Sequence, residues 1–130
     1  MNGPPRFERP RFERPRFERM VPIFPTRDLD AALEFYARLG FDVRRYAGGG
    51  YGYATRGPVQ LHVGVVPRAV SPASAYLVVD DADAVAREWA DTGADVRPPE
   101  DTEWGMHEGV VIDPDGNIIR FGSVPRHRSG

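Results

Sequence analysis

The sequence predicts an α+β protein built from two βαβββ modules whose strands form a cupped mixed sheet. Three observations carry this. Two segments with helical apolar spacing, 29–39 and one running to Ala90, each follow aspartates able to cap a helix and precede a glycine able to stop one. Short apolar runs of strand length fill the intervals between them. The order strand, helix, three strands then occurs twice over nearly equal lengths.

Along the chain, segment 21–26 contains Pro22 and Pro25, which suit an edge strand. Asp28 is placed to cap a helix in which Leu29, Ala32, Leu33, Tyr36 and Leu39 share one face, and Gly40 ends it. Strands are expected over 41–46, 51–55 and 59–66, separated by glycine-rich turns. A connection over 67–73 leads to a strand at 75–79. Asp81 or Asp83 then starts the second helix, which stops at Gly93. Strands 95–97, 109–112 and 118–123 complete the second unit. Between the last two lies Asp113-Pro114-Asp115-Gly116-Asn117, a tight-turn sequence in which Pro114 presets φ and Gly116 takes a positive φ. The chain thus divides into an extension (1–19), a first module (20–66), the connection (67–73), a second module (74–124) and a tail (125–130). Neither module can bury its sheet alone, so the two are expected to pair around a shared concave surface.

The length of 130 residues suits one domain. The absence of cysteine excludes disulfides, thiolate metal sites and cysteine nucleophiles. No apolar run reaches membrane length and no signal-peptide pattern is present, so the expectation is a cytoplasmic protein with no membrane partner. All seventeen basic residues are arginine, which reads as codon bias rather than physical adaptation. Residues 5–19 are three copies of Pro-Arg-Phe-Glu-Arg, with six arginines against three glutamates. From Met20 onward eleven arginines face sixteen acids, a net charge of −5. The repeat is either foreign to the domain that starts at Met20 or an arm that docks on the acidic body or a partner. Arginines alternating with glutamates make a poor phosphate-binding stripe, so no nucleic-acid role is expected.

Candidate binding residues cluster near Glu103-Trp104-Gly105-Met106-His107-Glu108. Trp104 is poorly placed for strand packing and well placed to line a cleft, the alternative being a loop residue that covers the core. Trp89, on the second helix, reads as core. Tyr51 and Tyr53 point to one face of a strand, so one is read as core and the other as groove, and His62 reads either as a satisfied strand histidine or as a ligand contact. His107 is a candidate polar groove contact beside Trp104. Asp80, Asp81 and Asp83 read as a helix N-terminus, which favours negative charge.

Arg27-Asp28-Leu29, the run from Glu34 to Phe41 and the 113–117 turn resemble the vicinal oxygen chelate superfamily, which holds glyoxalases, bleomycin resistance proteins and extradiol dioxygenases. The resemblance extends from Val21 to about Ser123 and implies the paired-module fold. Metal-using members place a histidine near the start of each module's first strand and acidic or histidine ligands near the ends of the last strands. Here the corresponding positions are Val21, Ser74 and Arg120, leaving His62 alone where a ligand is expected. A divalent ion needs about three or more converging donors, so no metal and no cofactor are expected.

The branch most similar to this chain is the bleomycin resistance proteins, homodimers that bind a large cationic glycopeptide antibiotic in grooves at the dimer interface and are not enzymes. That resemblance implies that Tyr51 and Trp104 clasp the drug's planar bithiazole, with Tyr76 as a further groove aromatic and His62 and His107 as polar contacts. Pro22 matches the point where the N-terminal strand crosses to the partner. The chain departs in having Tyr51 where phenylalanine is usual and the arginine-rich repeat where a short swapped arm is usual. Aromatic faces add on the order of 0.5–1.5 kcal/mol each beyond area burial. Tight capture therefore needs charge as well, which Asp101, Glu103 and Glu108 around Trp104 and the −5 body offer to a cation. The competing readings are a metal-dependent lyase or dioxygenase of the same superfamily and a binder of another planar natural product.

Overall fold

The computed structural model describes residues 14–68 and 70–125. Most of the arginine-rich extension and of the tail therefore lie outside the described residues. The elements, in chain order, are β1 (Ile23–Thr26), α1 (Leu29–Arg38), β2 (Asp42–Arg45), β3 (Tyr51–Arg56), β4 (Val59–Val65), β5 (Ser74–Val78), α2 (Ala82–Ala90), β6 (Asp95–Asp101), β7 (His107–Ile112) and β8 (Ile118–Ser123). No helix among the described residues is long and apolar enough to cross a membrane.

Both helices begin as their sequences require. The Asp28 carboxylate accepts from the Ala31 amide at 3.1 Å, and the Asp81 carboxylate accepts from Ala84 at 3.0 Å, so Asp81 rather than Asp83 caps α2. Behind them Gly40 and Gly93 take φ of +92° and +86°, which ends each helix without steric cost.

The strands form two four-stranded mixed sheets with one topology. The first runs β1-β4-β3-β2 and the second β5-β8-β7-β6, each with its first strand parallel to its last and the other neighbours antiparallel. Several strand limits differ from the sequence reading by a residue or two, and the limits of β1 and β6 differ for reasons the structure shows. β1 starts at Ile23 rather than Val21, although the Pro22 carbonyl still accepts from the His62 amide at 2.9 Å. β6 continues past Arg97 to Asp101, because the register shift between Arg97 and Glu100 carries Pro98 and Pro99, which have no N–H to give a ladder.

Each helix covers one face of its own sheet and leaves the other face open. Phe24, Leu33, Tyr36, Ala54, Leu61 and Val63 pack in the first module, and Ala86, Trp89, Val111, Ile119 and Phe121 in the second, within one continuous core. Trp89 is only 1% exposed and meets Phe121 edge-on at 5.1 Å. Gly109 lets β7 pass this cluster, since a Cβ there would sit 2.7 Å from the Phe121 ring and 2.9 Å from the Arg97 carbonyl.

The modules are joined by polar bonds as well as by the core. The Trp89 indole N–H donates to the Leu39 carbonyl at 3.0 Å, which also receives Arg56 at 2.8 Å. Arg56 grips Glu88 through both guanidinium nitrogens at 2.6 and 3.0 Å. In the reverse direction the Tyr36 hydroxyl donates to Asp113 at 2.8 Å. Burial, and then the Asp113 charge, hold that phenol far above its usual pKa. The 113–117 turn is thus also a seam. Asp115 accepts from the Thr26 hydroxyl at 2.6 Å and the Arg27 amide at 3.0 Å, and the Asn117 side-chain amide donates to the Pro25 carbonyl at 2.8 Å.

Candidate functional site

The open face of the first sheet carries Tyr51 and Tyr53 from β3 and Gln60 and His62 from β4. Strand alternation places these side chains opposite the buried Ala54, Leu61 and Val63. Tyr53 lies directly across from His62, and their rings meet edge-on at 4.8 Å. Tyr51 meets Tyr53 at 5.7 Å and His62 at 5.4 Å, and its hydroxyl is 2.9 Å from His62 Nδ1. Both tyrosines therefore face outward, and neither belongs to the core. Burial, and then the nearby Arg19 charge, lower the His62 pKa and favour the neutral ring. The Gln60 amide nitrogen lies 3.1 Å from His62 Nε2. In that orientation Nε2 accepts, Nδ1–H donates to the Tyr51 oxygen, and the Tyr51 proton is left for another acceptor. Asp42, Arg44 and Thr55 complete a shallow depression beside Tyr53 and Gln60.

The open face of the second sheet carries Tyr76 and Val78 from β5, Glu108 from β7 and Arg120 and Gly122 from β8. Trp104 reaches this face from the β6–β7 turn. The turn is closed by Thr102, whose amide and hydroxyl both donate to the Met106 carbonyl at 2.8 and 2.9 Å, and by Gly105 at a φ of +83°. Trp104 is 68% exposed, yet its indole N–H donates to Glu108 at 3.2 Å. The Tyr76 hydroxyl lies over Gly122, the residue paired with Glu108, and so comes close to that carboxylate. Burial first, and the nearby Glu108 carboxylate second, raise its pKa.

The sequence candidates thus fall into two groups, Tyr51 with His62 on one sheet and Tyr76 with Trp104 on the other. Pro22 stands just outside the first group, at the entry to β1. His107 lies across β7 from Glu108, toward α2, with Nδ1 2.8 Å from Asp101 and Nε2 2.9 Å from Asp83. It braces the base of the Trp104 turn against the helix. Gln60 also lies on the open face of the first sheet, beside Tyr53. Period-two spacing from His62 and Tyr51 is the signal that finds them.

The His107 brace predicts a pH dependence. Its hydrogen bonds to Asp83 and then Asp101 raise its pKa against a smaller opposing effect of burial. A base whose pKa is higher folded than unfolded adds stability that is complete below about pH 6.5 and is lost as pH rises through the folded value. The melting temperature of wild type should therefore exceed that of His107→Gln most at pH 5–6, with the gap closing toward pH 9. A gap that stays constant across that range would refute the brace.

Among the described residues no group of three or more His, Asp or Glu side chains is placed to hold a metal ion. Arg120 projects from β8 onto the open face, 3.8 Å from Glu108.

Comparison with known proteins places these features in a family. The model of the Glyoxalase/Bleomycin resistance protein/Dioxygenase superfamily matches residues 18–121. A bleomycin resistance protein of Klebsiella pneumoniae is 32% identical over 112 residues, covering 77% of this chain and 87% of that protein. The crystal structure of a bleomycin-binding protein complexed with bleomycin superposes with a TM-score of 0.75 at 29% identity, covering 84% of this chain and 100% of the other. A bleomycin resistance determinant encoded on a transposon gives 0.76 at 28% identity, covering 85% and 100%.

Proposed function

Because this chain belongs to the glyoxalase/bleomycin resistance protein/dioxygenase superfamily, we propose that it confers antibiotic resistance by binding and sequestering a bleomycin-type drug, without catalysing a reaction. Trp104 is the observation that carries the reading. A large aromatic ring at a hairpin tip, mostly in water and contributing nothing to the core, is nevertheless fixed by a hydrogen bond from its N–H. An indole held in that way offers a planar ligand a flat face at low ordering cost. The net charge of −5 from Met20 onward favours a cationic ligand by steering it toward the protein.

The two aromatic groups lie on different sheets of one chain, so a groove lined by both is proposed to form when a second copy lays its sheet over the first. Tyr51 and His62 of one subunit would then face Tyr76 and Trp104 of the other. In such a dimer the Tyr51 proton left free by His62 is available to an acceptor on the drug. Similarity to a bleomycin resistance protein and to a bleomycin-binding protein complexed with bleomycin supports this choice of ligand.

Titration calorimetry of the full chain with metal-free bleomycin, beside light scattering of the same sample, tests the proposal. Saturation at one drug per subunit with a dimeric mass is the expected result. No binding heat at any concentration up to millimolar drug would overturn it.

A further inference from the structure

We propose that Glu108 is the positioning residue of the second sheet's aromatic wall, its one carboxylate holding Trp104 and Tyr76 in a fixed relation to each other. The proposal takes its ligand from the reading above. Its geometry stands apart from that reading. Glu108 is the first residue of β7 to face away from α2, and Gly122 of β8 lies directly opposite it. Tyr76 lies one strand farther out, on β5, and its phenol stretches over Gly122: a Cβ at that position would run into the Tyr76 hydroxyl. The glycine is thus the gap through which Tyr76 crosses β8 to reach the carboxylate on β7. From the other side the Trp104 N–H donates to Glu108 Oε2 at 3.2 Å.

The arrangement explains an otherwise odd burial. The Glu108 side chain is only 6% exposed although it stands on the open face of a sheet. Trp104, which bonds it, and Tyr76, whose phenol lies over the paired Gly122, flank it, and Arg120, 3.8 Å from its other oxygen, lies on the same face. A bond from the Trp104 N–H to a carboxylate is of the stronger, charge-assisted kind. Trp104 has no packing partner in the core to fix its two side-chain torsions, so this bond sets the direction of its face. Ligand affinity then depends on Glu108 without the carboxylate having to touch the ligand. Losing the pre-set position of two such side chains should weaken binding about tenfold or more.

Indole N–H signals in the NMR spectrum of the free, full-length protein test this directly. The chain has two tryptophans, and Trp89, buried and bonded to the Leu39 carbonyl, reports on the fold. In Glu108→Ala the Trp104 signal should move and broaden while the Trp89 signal stays in place. Glu108→Gln retains an oxygen acceptor and should leave Trp104 between wild type and Glu108→Ala. Affinity for metal-free bleomycin should fall in the same order. An unmoved Trp104 signal in Glu108→Ala overturns the proposal. If that variant loses the Trp89 signal as well, the near-isosteric Glu108→Gln decides on the same criterion. A wild type that ignores bleomycin while its variants shift Trp104 would refute the ligand and leave the positioning role supported.

Discussion

Replacing Trp104 with alanine is expected to weaken capture of metal-free bleomycin at least about thirtyfold while leaving the fold as stable as before. The two halves of that result have separate causes. Trp104 is 68% exposed and its one hydrogen bond ends on a side chain of the same open face, so its removal opens no cavity. A change of stability within about 0.5 kcal/mol follows for a surface position of this kind. As an anchor for a planar ligand, the same ring belongs to the class whose truncation costs about 2 kcal/mol or more, a loss of at least about thirtyfold in affinity. Calorimetry and a denaturant melt on one preparation check both. Affinity within about threefold of wild type would remove Trp104 from the site. Lost affinity accompanied by a comparable loss of stability would make it a structural residue instead. Trp89, fully enclosed by the core, should show the reverse pattern, its truncation costing stability first.

Much of this architecture is legible in the sequence because it is local. Asp28 and Asp81 cap their helices with side chains that reach three residues ahead, and Gly40 and Gly93 stop them with backbone only glycine adopts freely. The helical face of Leu29, Ala32, Leu33 and Tyr36 is buried as its spacing predicts. The sequence ends β6 at Arg97, and only pairing with β7 around a register shift shows how the sheet carries Pro98 and Pro99. Tyr51 and Tyr53 could not be divided between core and groove by spacing, since residues two apart share a face. Which face is open depends on where α1 packs. That Tyr51 and Trp104 lie on different sheets follows already from the two-module division, whereas how those two faces meet does not. The near-burial of Glu108 does not follow either: it needs Tyr76, thirty-two positions earlier in the chain, to arrive over Gly122.

The turn at 113–117 shows how a local explanation can hide a long-range one, and it yields the largest expected loss of stability. Turn chemistry accounts for Asp113 and Asn117 so well that nothing in the sequence asks for more. In the fold, Asp113 is 6% exposed and accepts four hydrogen bonds, from the Tyr36 hydroxyl at 2.8 Å, the Asp115 and Asn117 amides at 2.9 and 2.8 Å, and the Asn117 side chain at 2.9 Å. Asp113→Ala leaves the Tyr36 hydroxyl and the Asn117 backbone N–H without their acceptor and the Asn117 side chain with only its bond to Pro25, at about 1–3 kcal/mol for each donor that finds no substitute. Relaxation recovers part of this, so a net loss of about 3 kcal/mol or more is expected by denaturant melts, with Asp113→Asn recovering some of it through its remaining oxygen. A loss below about 1 kcal/mol in Asp113→Ala would mean that the seam is held by the apolar core alone. Because Tyr36 and Asp113 belong to different modules, the cost should also be shared between them. Tyr36→Phe, harmless in shape, should lose its own effect once Asp113 is already alanine, and that non-additivity is the signature of a bond that crosses the seam.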